Sequence, residues 1–206
     1  MRIISGAARG RSLYTLKGLN TRPTADRVKE AMFSVLAGRL PGARVLDAFA
    51  GSAALGLEAL SRGAESCLFF EADRRAAQVC RRNIEACALP GCRLIQGDCL
   101  KLLPRLRREE EELRFDLVFA DPPYNRGLLP SLMDELAQEG WLAENGLLVA
   151  ETTARDSEFA PGPKWQILKS SVYGSTAVYY CQIKADRKST RLNSSHPTTS
   201  RMPSSA

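Results

Sequence analysis

From residue 44 onward, short apolar runs alternate with amphipathic stretches, and this rhythm restricts the chain more than any other feature. The apolar runs are RVLDAF (44–49), SCLFFE (66–71), RLIQGD (93–98), FDLVFAD (115–121) and GLLVAET (146–152). Between them, ALGLEALSRG, DRRAAQVCRRNIEACAL and LPSLMDELAQEG space their apolar residues as helices do and carry charge on the outer face. Strands buried on both sides and separated by helices predict a parallel sheet with helices on both faces. The rhythm then changes. WQILKSSVYG and STAVYYCQI follow each other directly across a Gly-Ser joint, which predicts an antiparallel hairpin closing one edge. Ahead of the sheet, TADRVKEAMFSVLAG predicts a helix capped by Thr24, preceded by a basic extended segment from Arg2 to Leu19.

The last 20 residues, RKSTRLNSSHPTTSRMPSSA, lack acids and any apolar periodicity, so they cannot bury a core. They resemble cloning or adapter-derived sequence and are set aside from fold reasoning. Without their four basic residues, 25 cations face 23 acids, and the net charge of +6 falls to +2. They also contain His196, the sole histidine. The remaining chain therefore has no imidazole for a Ser-His-Asp triad, a Cys-His pair or a histidine-bound metal. None of the six cysteines is spaced Cys-x-x-Cys, so reduced structural thiols and no metal are expected. No run approaches the roughly 20 apolar residues of a membrane span, and MRIISGAARGRSLYTL has no signal-peptide core; a cytoplasmic protein is expected.

Two stretches carry chemistry. Asp47-Ala48-Phe49-Ala50-Gly51-Ser52-Ala53-Ala54-Leu55-Gly56 reads as a strand end, a tight glycine turn and a helix start, where doubly wound folds bind nucleotides. Its middle position is Ala53 rather than glycine, which counts against a pyrophosphate cofactor but not against a nucleoside without phosphates. Glu71, 20 residues beyond Gly51, ends the second strand, where an acid can accept from ribose hydroxyls, and Asp98 follows the third. Each acid alone could simply cap a strand end; three at successive strand ends beside a glycine turn favour a site. The second stretch is FADPPYNRG (119–127). Two prolines remove backbone donors and stop the strand, leaving a carboxylate, carbonyls and the ring of Tyr124 for a flat ligand bearing an amino group. A strand-ending turn is the plain alternative.

DAFAGS, the strand end at Glu71, GDCL and DPPY, in this order and spacing, resemble the Rossmann-like S-adenosylmethionine-dependent methyltransferases. Within them, MRIISGAARGRSL and RPTADRVKEAMFSVL are similar to the RsmD family, which methylates the exocyclic N2 of one guanine in 16S ribosomal RNA. The resemblance spans about residues 1–184. It implies an α/β class I methyltransferase fold with a seven-stranded, mostly parallel sheet, a C-terminal antiparallel hairpin and a small basic N-terminal extension. It assigns Asp47, Gly51, Glu71 and Asp98 to S-adenosylmethionine, and Asp121, Pro122 and Tyr124 to the target amino group. The family's first loop reads Gly-Ser-Gly where this chain has Gly51-Ser52-Ala53; Ala53 is harmless at negative φ and costs stability at positive φ.

The cations Arg2, Arg9, Arg11, Lys17, Arg22, Arg27 and Lys29 are the natural RNA contact, with a solvated surface as the alternative. The mixed-sign run RLRREEEELR (105–114) predicts an exposed helix or loop. The expected organisation is residues 1–38 for RNA contact, 39–186 for methyl transfer, and a disordered, non-native 187–206. A monomer acting on 16S RNA within the small ribosomal subunit is expected, with no membrane partner. The alternatives are an N-methyltransferase of a DNA base or protein amide, or a catalytically silent RNA-binding module.

Overall fold

The computed structural model describes residues 1–16, 23–123, 127–138, 140–154 and 159–184, with the side chains of 23–25 excepted. Lys17, Arg22, Tyr124 and the segment 187–206 lie outside the described residues. The elements run α1 (Pro23–Leu36), a short 3-10 turn (Ala37–Arg39), β1 (Arg44–Asp47), α2 (Ala54–Ser61), β2 (Ser66–Glu71), α3 (Arg74–Cys87), β3 (Cys92–Gln96), α4 (Cys99–Glu109), β4 (Phe115–Ala120), α5 (Leu128–Leu136), β5 (Leu142–Thr153), β6 (Trp165–Tyr173) and β7 (Thr176–Ile183).

The seven strands form one sheet in the order β3-β2-β1-β4-β5-β7-β6. β1 to β5 are parallel, and β7 joins β5 antiparallel with β6 outside it. Side chains alternate across a strand, so Val45, Phe69, Phe119 and Val149 face a core closed by α1, α2 and α3, whereas Leu46, Phe70, Val118 and Leu148 face one closed by α4 and α5. α2 packs tightly on β2: a Cβ on Gly56 would stand 2.3 Å from the Phe69 ring and 2.6 Å from the Cys67 sulfur, so only glycine fits. From β1 the chain builds outward to β3 and then returns to β4. The order therefore reverses between β1 and β4, where the carboxyl ends of parallel strands open a crevice.

Several expectations need correction. The N-terminal segment is not simply extended. Ile3 donates to the carbonyl of Arg11 at 2.9 Å and Leu13 to that of Met1 at 3.0 Å, forming a small loop whose Ile3, Ala8 and Leu13 join the core. Its Gly6 lies so close to α2 that any Cβ would overlap the Ser61 carbonyl. α1 starts at Pro23, where a missing N–H costs nothing, so Thr24 lies inside the helix rather than at its cap. β5 begins at Leu142, ahead of the expected 146, because its pairing with β4 shifts register between Phe115 and Leu117. The helical part of the mixed-sign run belongs to α4, which starts at Cys99 and tolerates Pro104. There Arg107 is not wholly exposed: it lies 3.8 Å from the Trp141 ring centroid and donates to the carbonyl of Glu111 at 2.8 Å. The six cysteines are free thiols, five of them buried. Among the described residues, no helix is long and apolar enough to cross a membrane.

Candidate active site

The glycine turn after β1 folds back over the sheet edge through three hydrogen bonds. The Ala50 N–H donates to the Phe70 carbonyl at 2.9 Å, the Gly51 N–H to Glu71 Oε2 at 2.7 Å, and the Gly56 N–H to Asp47 Oδ2 at 3.0 Å. The residue before α2 is Ala53, which has no capping side chain, and the buried Asp47 carboxyl takes over one orphan N–H of the helix start. Ala53 itself has φ 65°, the left-handed region. That conformation costs an L-residue roughly 1–2 kcal/mol. Burial of its methyl offsets about 0.8 kcal/mol of this.

Glu71 ends β2 with both oxygens engaged: Oε1 accepts from the Asp73 N–H at 2.7 Å, and each oxygen keeps a lone pair free. Asp98 precedes α4 and accepts from the Leu100 N–H at 3.0 Å, at the outer end of the same edge. Asp121 follows β4. Its side chain keeps an open side to solvent, Pro122 behind it is buried, and Pro123 is exposed. Asp47, Glu71 and Asp121 each stand two residues beyond a member of the α1–α3 core (Val45, Phe69 and Phe119), so the pleat turns all three toward the same face.

The crevice therefore concentrates negative charge. Burial pushes the Asp47 carboxyl up to about 7, the Gly56 hydrogen bond opposes this, and repulsion from Asp121 and Glu71 adds to it. Burial likewise raises Asp121 above the ordinary carboxylate range. Such a site disfavours anionic ligands and favours a cation or a group rich in N–H donors.

Reasoning from sequence missed three features. Glu151 of β5 stands two residues beyond Val149, where Val-Ala-Glu repeats the Phe-Ala-Asp of β4 at the neighbouring strand end; that repetition was the available signal. Asn83 is fully buried. It accepts from the Tyr14 N–H at 2.8 Å and donates to the carbonyls of Tyr14 at 2.9 Å and Ser52 at 2.8 Å, tying the N-terminal segment to the glycine turn. A polar residue within the buried stripe Ala76-Cys80-Asn83-Cys87 was its signal. The third is Glu58, whose buried carboxylate holds Lys29 at 3.1 Å and Arg62 at 2.7 Å. Lys29 is consequently withdrawn from the proposed RNA surface, because a buried ammonium needs its counter-charge, while Arg9, Arg11 and Arg27 remain exposed.

A mostly parallel sheet with this strand reversal and an antiparallel β7, a glycine turn and strand-end acids defines the Rossmann-like class I methyltransferase fold. The model of the family described as Conserved hypothetical protein 95 matches residues 1–182, and the chain belongs to that family. It is similar to Ribosomal RNA small subunit methyltransferase D of Escherichia coli, with 34% identity over 189 residues, 92% of this chain and 93% of that one. The protein of the same name from Haemophilus influenzae is 35% identical over 84% of this chain and 89% of its own. The solved structure of yhhF from Escherichia coli, a candidate methyltransferase, superposes with a TM-score of 0.78 at 33% identity, covering 90% of this chain and 99% of that one. The RsmD resemblance read from MRIISGAARGRSL and RPTADRVKEAMFSVL is borne out.

Proposed function

We propose that this chain transfers a methyl group from S-adenosylmethionine to the exocyclic N2 of a guanine in 16S ribosomal RNA, acting as a monomer in the cytoplasm on the small subunit or its precursor. The observation that carries this reading is the position of Asp121. It stands at the strand-order reversal, on the same face as the acids around the glycine turn, in a chain of the rRNA methyltransferase D family.

The residues present fit the cofactor. Nothing lies within 4 Å of where a Gly51 Cβ would stand, so the turn is open on that side. Glu71 retains lone pairs for ribose hydroxyls, Asp98 lies one strand further for a base, and Asp47 holds the turn and adds negative charge. When bound, S-adenosylmethionine supplies an electrophilic methyl group on a positively charged sulfur.

The exocyclic amine of guanine is a poor nucleophile because its lone pair is delocalised into the ring. Asp121, by accepting one N2–H, orients the amine and localises that pair out of the ring plane. As the N2–methyl bond forms and the sulfur–methyl bond breaks, the nitrogen becomes positive and acidic, and Asp121 takes its proton. No imidazole is required. Pro122 fixes the backbone behind the carboxylate. Tyr124 is assigned to stack on the turned-out base, worth about 1–3 kcal/mol, on the sequence pattern alone. Arg9, Arg11 and Arg27, together with Arg22, supply phosphate contacts from residues 1–38, while 39–186 carries out the transfer.

Incubation with radiolabelled methyl donor and a panel of undermethylated small subunits, free 16S RNA, DNA and ribosomal protein tests the assignment. Label confined to 16S RNA supports it. Label in DNA or protein favours an acceptor of another class, and no label in any acceptor favours a silent binding module.

A further inference from the structure

Asp121 does not face the crevice alone. Ala120 of β4 and Ala150 of β5 are register partners, so the next residues along the two strands are Asp121 and Glu151. Glu151 also pairs with Val178 of β7, which hems in its other side with an apolar residue. Several other carboxylates on or beside the sheet are matched among the described residues. Asp116 holds Arg44 at 3.1 Å, Glu58 holds Lys29, Glu71 holds two backbone N–H groups, and Asp47 holds one. Among the described residues, neither the Asp121 nor the Glu151 side chain has a hydrogen bond or ion pair. Glu151 is part-buried beside the more exposed Asp121, and a part-buried carboxyl without a partner is costly unless a ligand supplies donors.

We propose that Glu151 is a specificity-determining residue of the acceptor site, taking the N1–H and one N2–H of the guanine while Asp121 takes the other N2–H. This rests on the guanine-N2 reading above and adds to it the group that selects the base. The two oxygens of a carboxylate match two parallel N–H donors, and guanine presents such a pair at N1 and N2. Adenine presents a lone pair at N1 and a C–H at C2, and a carboxylate there faces lone pair against lone pair. Holding both N2–H groups leaves the faces of the amine open, so the methyl approaches N2 from above the ring plane and the conjugated lone pair is drawn onto nitrogen as the new bond forms. Burial, and after it the charge of Asp121, raises the Glu151 carboxyl, a penalty that two N–H donors relieve.

The test uses the full chain and 16S RNA carrying either guanine or 2-aminopurine at the mapped target, ligated and assembled into small subunits. 2-Aminopurine keeps the N2 amine but replaces N1–H with a lone pair. The parent should methylate guanine at least about tenfold faster than 2-aminopurine in single turnover. Glu151→Gln keeps the shape and gains an amide N–H₂ that can donate to a bare N1. It should be roughly tenfold slower on guanine and should reverse or abolish the preference. Melting temperature and donor affinity should stay at parental values, which separates this outcome from misfolding. A guanine rate within twofold of the parent, or an equal loss on both bases, would overturn the role of Glu151. If instead the parent leaves guanine N2 unmethylated, the underlying reading fails first, and the two failures are told apart by the parental control alone.

Discussion

Glu58→Gln tests how the N-terminal segment is fastened to the sheet domain. The Glu58 carboxylate is fully buried, accepts three hydrogen bonds, from the Ile4 N–H at 2.8 Å, the Ser5 N–H at 3.1 Å and Arg62 Nε at 2.7 Å, and forms an ion pair with Lys29 Nζ at 3.1 Å. Glutamine keeps one carbonyl acceptor but turns an N–H₂ toward two of those donors and removes the charge. Arg62 is partly exposed and can return to water, but Lys29 is buried and would keep only the Arg2 carbonyl, with no counter-charge. Removing one partner of a buried pair costs about 3–5 kcal/mol. At a urea slope near 2 kcal/mol/M, the midpoint should fall by roughly 2 M with the slope unchanged. Adding Lys29→Met should recover part of the loss, giving a coupling energy of at least about 2 kcal/mol, because both charges are then gone. A single variant within about 1 kcal/mol of the parent, or strictly additive variants, would refute the fastening role.

Glu71→Ala removes the acceptor of the Gly51 and Asp73 N–H groups and of the ribose, and should weaken S-adenosylmethionine binding by about 1–3 kcal/mol; unchanged calorimetric affinity would remove Glu71 from the site. The raised Asp47 carboxyl binds its proton more tightly in the folded chain than in the unfolded one. Stability without cofactor should therefore fall as pH rises from about 4 to 7, and Asp47→Asn should flatten that slope in pH-dependent unfolding. A cationic sulfonium lowers such a pKa, so donor binding at pH 7 should release up to about half a proton, more than the neutral-sulfur product does, as measured by calorimetry in two buffers. Asp121→Asn should leave folding and donor affinity nearly unchanged while single-turnover methylation falls at least about 10²-fold, near 2.7 kcal/mol; a loss of only a few-fold would return DPPY to a simple strand-ending turn.

What could be read from the sequence follows from what is local. Strands such as Ser66–Glu71 were visible because four buried residues in a row have few other uses, and the site acids stood out because they end those runs. The displaced start of β5 was hidden, since the shift opposite Phe115 is a property of two strands together. α4 was obscured by Pro104, whose helix-breaking tendency is overridden by Cys99, Leu103 and Leu106 packing on the sheet. Lys29 reads as one more surface cation, because its partner Glu58 is 29 residues away and on a different helix. Asn83 joins Tyr14 to Ser52 only once three separate segments have met. Ala53 was recognised as a departure, but its positive φ comes from the turn geometry, which no composition reports.

The most direct measurement takes the full chain, a methyl-deuterated donor and small subunits lacking the modification, digests the RNA to nucleosides and identifies the labelled one by mass spectrometry. The mass label should appear as N2-methylguanosine with the parent and be nearly absent with Asp121→Asn over the same single-turnover interval. Label at guanine N1, on another base or on protein, or an equal yield from the Asp121→Asn chain, would contradict the proposed chemistry.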